Sequence, residues 1–284
     1  MPRQREFEFD EIGYWSEIKL DIIREYAAAY SKILAAQSTP PLHHIYIDAF
    51  AGAGLHLSKS SGEVIAGSPT NALLLTPPFR EYHFIDLDER RVASLEQISR
   101  ERSDVKVYHG DCNTILVQEV FPKARFKEYK RALCILDPYG LDLEWRVIAE
   151  AARMGSVEIF LNFPVADINR NVLWRNREGV SVEQAARLTR FWGDESWRDI
   201  AYHPSSQATL WGDRADEKST NDEVAEAFRQ RLKTVAGFKH VPEPMAMRNS
   251  NHAIVYYLYF ASHKPVAAGI VRDIFAKHRK QGGN

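Results

Sequence analysis

Residues 45–54 read Ile-Tyr-Ile-Asp-Ala-Phe-Ala-Gly-Ala-Gly. A β-branched apolar run ends in an acid, Asp48, then small residues and two glycines, Gly52 and Gly54, spaced for a tight turn. Short runs that are apolar on both faces are the pattern of buried parallel strands. Four more follow along the chain: EYHFIDLD (81–88), VKVYHGD (105–111), ALCILDPYG (132–140) and VEIFLNFP (157–164). Each ends in an acid or in a turn with asparagine or proline.

Helical patterns lie between these runs. Ser68-Pro69 is an N-cap signal opening TNALLL, Asp88 is placed to cap ERRVASLEQISR, and Asp142 or a neighbour starts LEWRVIAEAARM. Strand and helix alternating through short loops predict an α/β fold with a doubly wound, mostly parallel sheet. The acids then fall at the carboxyl ends of the strands, where such sheets bind ligands. Ahead of the sheet, residues 15–36 repeat apolar residues at helical spacing and stop before Thr39-Pro40-Pro41, giving a helical extension over 1–41. The core spans 42–164 and 236–284. Residues 165–235, richer in Arg, Trp, Asn and Asp, read as a mainly helical insertion capping the site. Residues 245–260 read as an antiparallel hairpin about an Asn-rich turn, followed by a terminal amphipathic helix over 265–280.

Bulk properties narrow the function classes. The chain has 284 residues, 45% hydrophobic and 26% charged, with formal charge −1, so any polyanion site must be a local patch. Its two cysteines, Cys112 and Cys134, form no CxxC pair, which argues for a reducing compartment and against a disulfide scaffold or zinc site. No signal-peptide pattern or membrane-length apolar run is present, so the cytoplasm is the expected location. The ten histidines show no metal spacing, and no G-x-S-x-G elbow occurs.

The first turn selects among cofactors. A dinucleotide fingerprint needs a third glycine where Leu57 stands and an acid about 20 residues on, whereas Asp86 lies well beyond that. A P-loop needs a Gly-Lys-Ser/Thr that is absent. S-adenosylmethionine (SAM), which has no phosphate, suits the turn better. Asp48 faces its methionine end, and Gly52 and Gly54 admit the ligand without a Cβ clash. Asp86, ahead of Asp88, accepts from the ribose, Asp111 meets the adenine, and Asp137-Pro138-Tyr139-Gly140 sits nearest the methyl. Phe50, Leu87 and Cys112 complete the cofactor set. On the plainer reading strand-end acids are helix caps, and that reading is adopted for Asp88 and Asp142.

IDAFAGAG, GSPTNALLL, YHFIDLDERR, HGDCN, LDPYG and FLNFPVADINRN, in this order, resemble the three-Cys-motif partner family (TcmP) over most of the chain. The resemblance implies a Rossmann-like class I methyltransferase sheet with SAM as cofactor. It also implies a partner carrying three cysteines that looks like a radical-SAM protein. A looser similarity is to adenine-N6 methyltransferases acting on ribosomal RNA, whose catalytic motif is Asp/Asn-Pro-Pro-Tyr/Phe. Here Asp137, Pro138 and Tyr139 match it with one proline missing, which moves the aromatic one residue closer to the acid. Asp137, Pro138 and Tyr139 are therefore the catalytic candidates, with an amino nitrogen of a nucleic-acid base as the acceptor. Alternatively, Pro138-Tyr139-Gly140 only makes a turn with a packed tyrosine.

Asn162, Asp167, Asn169 and Arg170 follow the fifth run and are candidates for substrate or partner contact; a helix cap with surface polars is the plainer reading. Arg170, Arg175 and Arg177 near Trp174 suit phosphate and base contacts, as do the basic residues 123–131, though both also fit solvated surface. A second function class stays open: a subunit that keeps the fold, with or without SAM binding, and acts by docking the three-cysteine partner.

Overall fold

A computed structural model describes residues 10–59, 61–173, 180–208, 214–249 and 251–281. Strand β1 (Asp10–Ile12) precedes helix α1 (Tyr14–Ala35), and β2 (His43–Asp48) carries the first apolar run. After the glycine turn come β3 (Leu55–Ser58), β4 (Val64–Ala66) and α2 (Ser68–Leu73). Then follow β5 (Glu81–Asp86), α3 (Glu89–Ser99), β6 (Val105–His109), the short α4 (Cys112–Ile115), β7 (Lys130–Leu136), α5 (Trp145–Met154) and β8 (Val157–Phe163). The next segment holds α6 (Val165–Asn171), α7 (Val182–Trp192), α8 (Trp197–Ala201), the hairpin β9 (Tyr202–Ala208) and β10 (Arg214–Lys218), and α9 (Asn221–Thr234). The chain closes with β11 (Met245–Arg248), β12 (Ile254–Ala261) and α10 (Pro265–Gln281).

Seven strands form one sheet in the order β11-β12-β8-β7-β2-β5-β6. The neighbours from β8 to β6 run parallel, while β12 is antiparallel to both β8 and β11. This is the doubly wound, mostly parallel Rossmann-like sheet with a terminal antiparallel hairpin. The strand order reverses between β2 and β7, and the crevice outside their carboxyl ends is the ligand position of such sheets. Alternation along the strands feeds two cores. Ile45, Ile47, Cys134, Ile159, Leu161, Phe163 and Tyr259 face α5, α7 and α9. Tyr46, Leu133, Ile135, Phe160, Leu258 and Phe260 face α1 and α10. His44 is buried with its Nε2 3.0 Å from Ser31 Oγ and 3.1 Å from the Pro78 carbonyl, a structural role.

Local expectations change in several places. Gly67 is the N-cap of α2, and Ser68 takes the first helical position, with its hydroxyl turned to Asp48. Asp88 caps α3 by accepting from the Arg90 and Arg91 amides. Asp142 is not a cap: Glu144 occupies that position for α5, and Asp142 instead accepts from Arg187 at 3.1 Å. Residues 55–66 form a hairpin whose β3 pairs in parallel with β1, so residues 10–12 lie beside the glycine turn. Among the described residues of 165–235, only α6 reaches the carboxyl-end crevice. The apolar faces of α7 and α9 instead pack on β8 and β12, where Phe228 lies 4.6–5.7 Å, ring to ring, from Phe163, Phe191, Trp192 and Tyr259.

Phe228 is fully buried at the centre of that cluster. Truncation leaves a cavity its rigid aromatic neighbours cannot collapse into, so Phe228→Ala is expected to cost about 3–5 kcal/mol in denaturant unfolding. Val182→Ala, at a position 87% exposed, should stay within about 0.5 kcal/mol. Equal effects at the two sites would mean α9 is not part of the core.

Candidate functional site

Three strand-end carboxylates organise the crevice, and each is held differently. Asp48 ends β2 fully buried; its Oδ2 accepts from Ser68 Oγ at 2.5 Å and its Oδ1 from the Phe50 amide at 3.4 Å. Burial pushes its pKa up to about 7, opposed by the Ser68 hydrogen bond and reinforced by the charges of Asp137 and Asp86. Asp86 ends β5, also buried. Its Oδ2 accepts from the Gly52 amide at 2.8 Å and its Oδ1 from the Asp88 amide at 2.9 Å, so this carboxylate ties the glycine turn to the next strand end. A carboxylate oxygen has two lone pairs, so one acceptor site per oxygen remains.

Asp137, after β7, is partnered by a residue far away in the chain. Lys19 Nζ, on α1, donates to its Oδ2 at 2.5 Å and lies 5.2 Å from the centroid of the Tyr256 ring. Burial alone would lower the Lys19 pKa; the Asp137 carboxylate, helped by Tyr256, outweighs it and holds the ammonium above its ordinary value. Asp137 thus sits in the site as half of an ion pair.

The cleft around this pair has a volume of about 380 Å³ and lies at the carboxyl ends of β2, β7 and β8. Of the candidate residues it brings together Phe50, Gly52, Asp137, Pro138, Tyr139, Asn162, Asp167 and Arg170. Asp48 sits beneath it and reaches it through Ser68, which lines the wall. Asn162 Oδ1 and Asp167 Oδ2 are buried and have no hydrogen-bond partner. Tyr139 is 67% exposed at the rim, with the Arg91 guanidinium 5.0 Å from its ring centroid.

The two glycines of the turn face different ways. Gly52, at φ +65°, opens toward the crevice: a Cβ there would meet nothing nearer than the His56 ring, at 3.9 Å. Gly54, at φ +82°, is turned the other way: a Cβ there would come within 2.7 Å of Ile98 Cδ1, so this glycine serves packing against α3 and not ligand approach. Other candidates also fall outside the cleft. Leu87 is 74% exposed and Asp111 is exposed, on an open shelf beside Asp86. Asp111 also caps α4 by accepting from the Asn113 amide. Cys112 points into the core, where burial and then the Asp111 charge push its thiol up to about 12. Asn169 turns away and donates to Asn221 Oδ1 at 2.7 Å, joining α6 to α9. Trp174, Arg175 and Arg177 lie outside the described residues.

Lys19, Tyr256, Ser68, His56 and Glu11 also line the cleft, and the sequence motifs do not single them out as site residues. A signal for Lys19 exists. It stands three, four and seven positions before Ile22, Ile23 and Tyr26, on the buried stripe of α1, and a lysine there requires a partner. Among the described residues no cluster of three or more His, Cys, Asp or Glu could hold a metal, and no helix is long and apolar enough to cross a membrane.

No protein-family model and no curated protein matches the chain. Solved structures of similar fold exist. A Legionella pneumophila protein is 11% identical, with 91% of this chain and 90% of that one covered and a TM-score of 0.47. The N-methyltransferase NodS of Bradyrhizobium japonicum, solved with S-adenosyl-L-homocysteine, is 12% identical, with 86% and 88% covered and a TM-score of 0.37. These likenesses concern the fold alone, and the TcmP resemblance rests on its motifs.

Two outcomes follow from this geometry. In a double-mutant cycle of Lys19→Met and Asp137→Asn, the stability coupling should reach about 1–3 kcal/mol, reduced from the fully buried range because the Asp137 side chain is 29% exposed. Coupling near zero would remove the pair. For Asp48, the folded pKa of about 7 lies above the ordinary 3.8. The native state therefore holds the proton longer, and the stability Asp48 contributes is complete below about pH 4 and lost as pH rises through 7. Wild-type stability relative to Asp48→Asn should fall over that window, by at most about 4 kcal/mol. A pH-independent difference would contradict the assignment.

Proposed function

We propose that this chain is a SAM-dependent methyltransferase whose acceptor is an amino nitrogen, with a nucleic-acid base as the substrate class. One observation carries the reading: a cleft at the topological switch point places a glycine turn, a buried acid and an acid–lysine pair beside two unpartnered buried acceptor atoms. Bound SAM would supply an electrophilic methyl on a sulfonium, displaced in line.

The residues present fit that group. Gly52 leaves the turn open, and Asp86 keeps free acceptor sites toward the shelf. Asp48 and Ser68 lie under the turn, where a carboxylate favours a cationic ligand. On the acceptor side, Asn162 Oδ1 and Asp167 Oδ2 would receive N–H donors that nothing in the described chain supplies. Asp137, already paired with Lys19, orients an incoming amine through its remaining lone pairs and leaves proton removal to solvent. Tyr139, exposed and backed by Arg91, offers a stacking face for a base. The same Lys19–Asp137 bridge favours a second reading, a SAM-binding subunit that acts by docking a three-cysteine partner, because it occupies the carboxylate that catalysis would use.

Calorimetric titration with SAM and S-adenosylhomocysteine separates the possibilities. Micromolar binding lost in a folded Asp86→Ala variant is the expected result. Affinity for SAM should rise between pH 6 and pH 8, roughly tenfold, because a bound cation favours ionised Asp48, whose pKa is about 7; Asp48→Asn should flatten the profile. No heat with either ligand in folded wild-type protein would overturn the donor pocket. Binding without methylation of single-stranded RNA or DNA would favour the docking reading.

A further inference from the structure

A second cavity, about 330 Å³ in volume, lies at the opposite ends of the same strands. Leu42, Arg131 and Val157 bring it to the amino ends of β2, β7 and β8, and its walls come from the last half of α1 and the first turn of α10. The lining is mostly apolar: Ile33, Leu34, Val157, Val266, Ala267 and Ile270 contribute, with Ile33 48% and Val266 66% exposed at its edge. Cavities of this size hold molecules of one or two rings.

Its polar groups are few and convergent. Tyr30, 7% exposed, lines this cavity, and its phenol oxygen is buried without a hydrogen-bond partner. Most buried hydroxyls are paired, so this oxygen has a donor and acceptor capacity that the described chain leaves unused. Glu158, at the floor, is by contrast partnered on both oxygens: it accepts from Tyr26 at 2.5 Å and from Ser262 at 2.9 Å. Two cations stand at the mouth. Arg131 Nη1 donates to the carbonyls of Phe126 and Lys130, and the guanidinium lies over the Phe126 ring at 3.7 Å. Lys264 Nζ lies 5.6 Å from the same ring. Among the described residues, neither has a carboxylate within ion-pairing distance. The N-terminal end of α10, which lines the same part of the cavity, adds a partial positive charge there. Arg131 belongs to the basic run 123–131, which the sequence suggested as solvated loop or nucleic-acid contact; here Nη1 is engaged, and the Nε–Nη2 edge, which makes no hydrogen bond among the described residues, can take a carboxylate in two-point contact.

We propose that this cavity is a second ligand site, which takes a small carboxylic acid with an apolar aromatic or aliphatic body. The carboxylate sits between Arg131, Lys264 and the start of α10, the body lies along Ile33, Leu34 and Val266, and the Tyr30 hydroxyl donates to a ligand oxygen. The inference does not depend on methyl transfer, because it uses none of the carboxyl-end residues.

Titration of the full chain with 2-naphthoate, 2-naphthol and 2-naphthylmethylammonium tests it. The carboxylate should bind at least tenfold more tightly than either analogue of the same body, roughly the value of one charge-assisted contact. Lys264→Gln, at an exposed position, and Tyr30→Phe should each weaken 2-naphthoate by about tenfold without lowering the melting temperature. Asp86→Ala should leave its affinity unchanged, which separates this site from the carboxyl-end cleft. Equal binding of the three compounds, full affinity in both Lys264→Gln and Tyr30→Phe, loss in Asp86→Ala, or no binding of either 2-naphthoate or octanoate below about 5 mM would each overturn the proposal.

Discussion

The ion pair between Lys19 and Asp137 fixes where α1 lies on the sheet, and most of the two sites follows from that. An ammonium on a buried stripe needs a carboxylate, and the strand end of β7 provides one. The pair need not add much net stability, because desolvation offsets much of the Coulombic attraction. Its consequence is axial register. With Lys19 held at the carboxyl end, the residues before α1 run as β1 beside β3 and the glycine turn, and Glu11, Ile12 and Ser16 become walls of the cleft. Seven and eleven positions later, Tyr26 and Tyr30 reach the amino end of the sheet beside Glu158.

The other two strand-end acids show how a single residue type takes different work from its surroundings. Asp48 is enclosed on all sides and meets one hydroxyl and, at 3.4 Å, one amide, so burial dominates and its proton is retained to about neutral pH. Asp86 is nearly as buried but receives two backbone amides, Gly52 and Asp88, and so acts as a clamp between the turn and the next strand end. The glycine turn is shaped from both sides: by Asp86 at its start, and by Gly67 and Thr70, which both donate to the Gly54 carbonyl, at its end.

The sheet is legible in the sequence because burial on both faces writes itself into consecutive residues: each apolar run from 45 to 163 is a strand, and the Asn-rich turn near 250 links β11 to β12. Asp88 is legible as a cap for the same local reason. What stays hidden depends on contacts distant in sequence. Lys19 and Asp137 are 118 positions apart, and the roof that Tyr256 adds comes from near the end of the chain. Serine before proline is a strong local signal for a cap, but at Ser68 the nearby Asp48 carboxylate is a better partner for the hydroxyl than a helix amide. Gly54 resembles a ligand contact because spacing shows that a residue is small without showing which way it faces; the side chain of Ile98 decides that.

Charge distinguishes the two ends of the sheet. The ionisable residues lining the carboxyl-end cleft include Glu11, Lys19, Asp137, Asp167 and Arg170, with Asp48 beneath them, a set weighted toward negative charge. The amino-end cavity carries Arg131 and Lys264 against Glu158. A low-dielectric wall strengthens each local field, so a chain with formal charge −1 still presents opposite preferences roughly a strand length apart. The first field favours a cation and the second an anion. Because α1 contributes Lys19 to one and Tyr30 to the other, the same helix must keep its position for both sites to exist, which makes the register set by Lys19 a condition on the whole molecule.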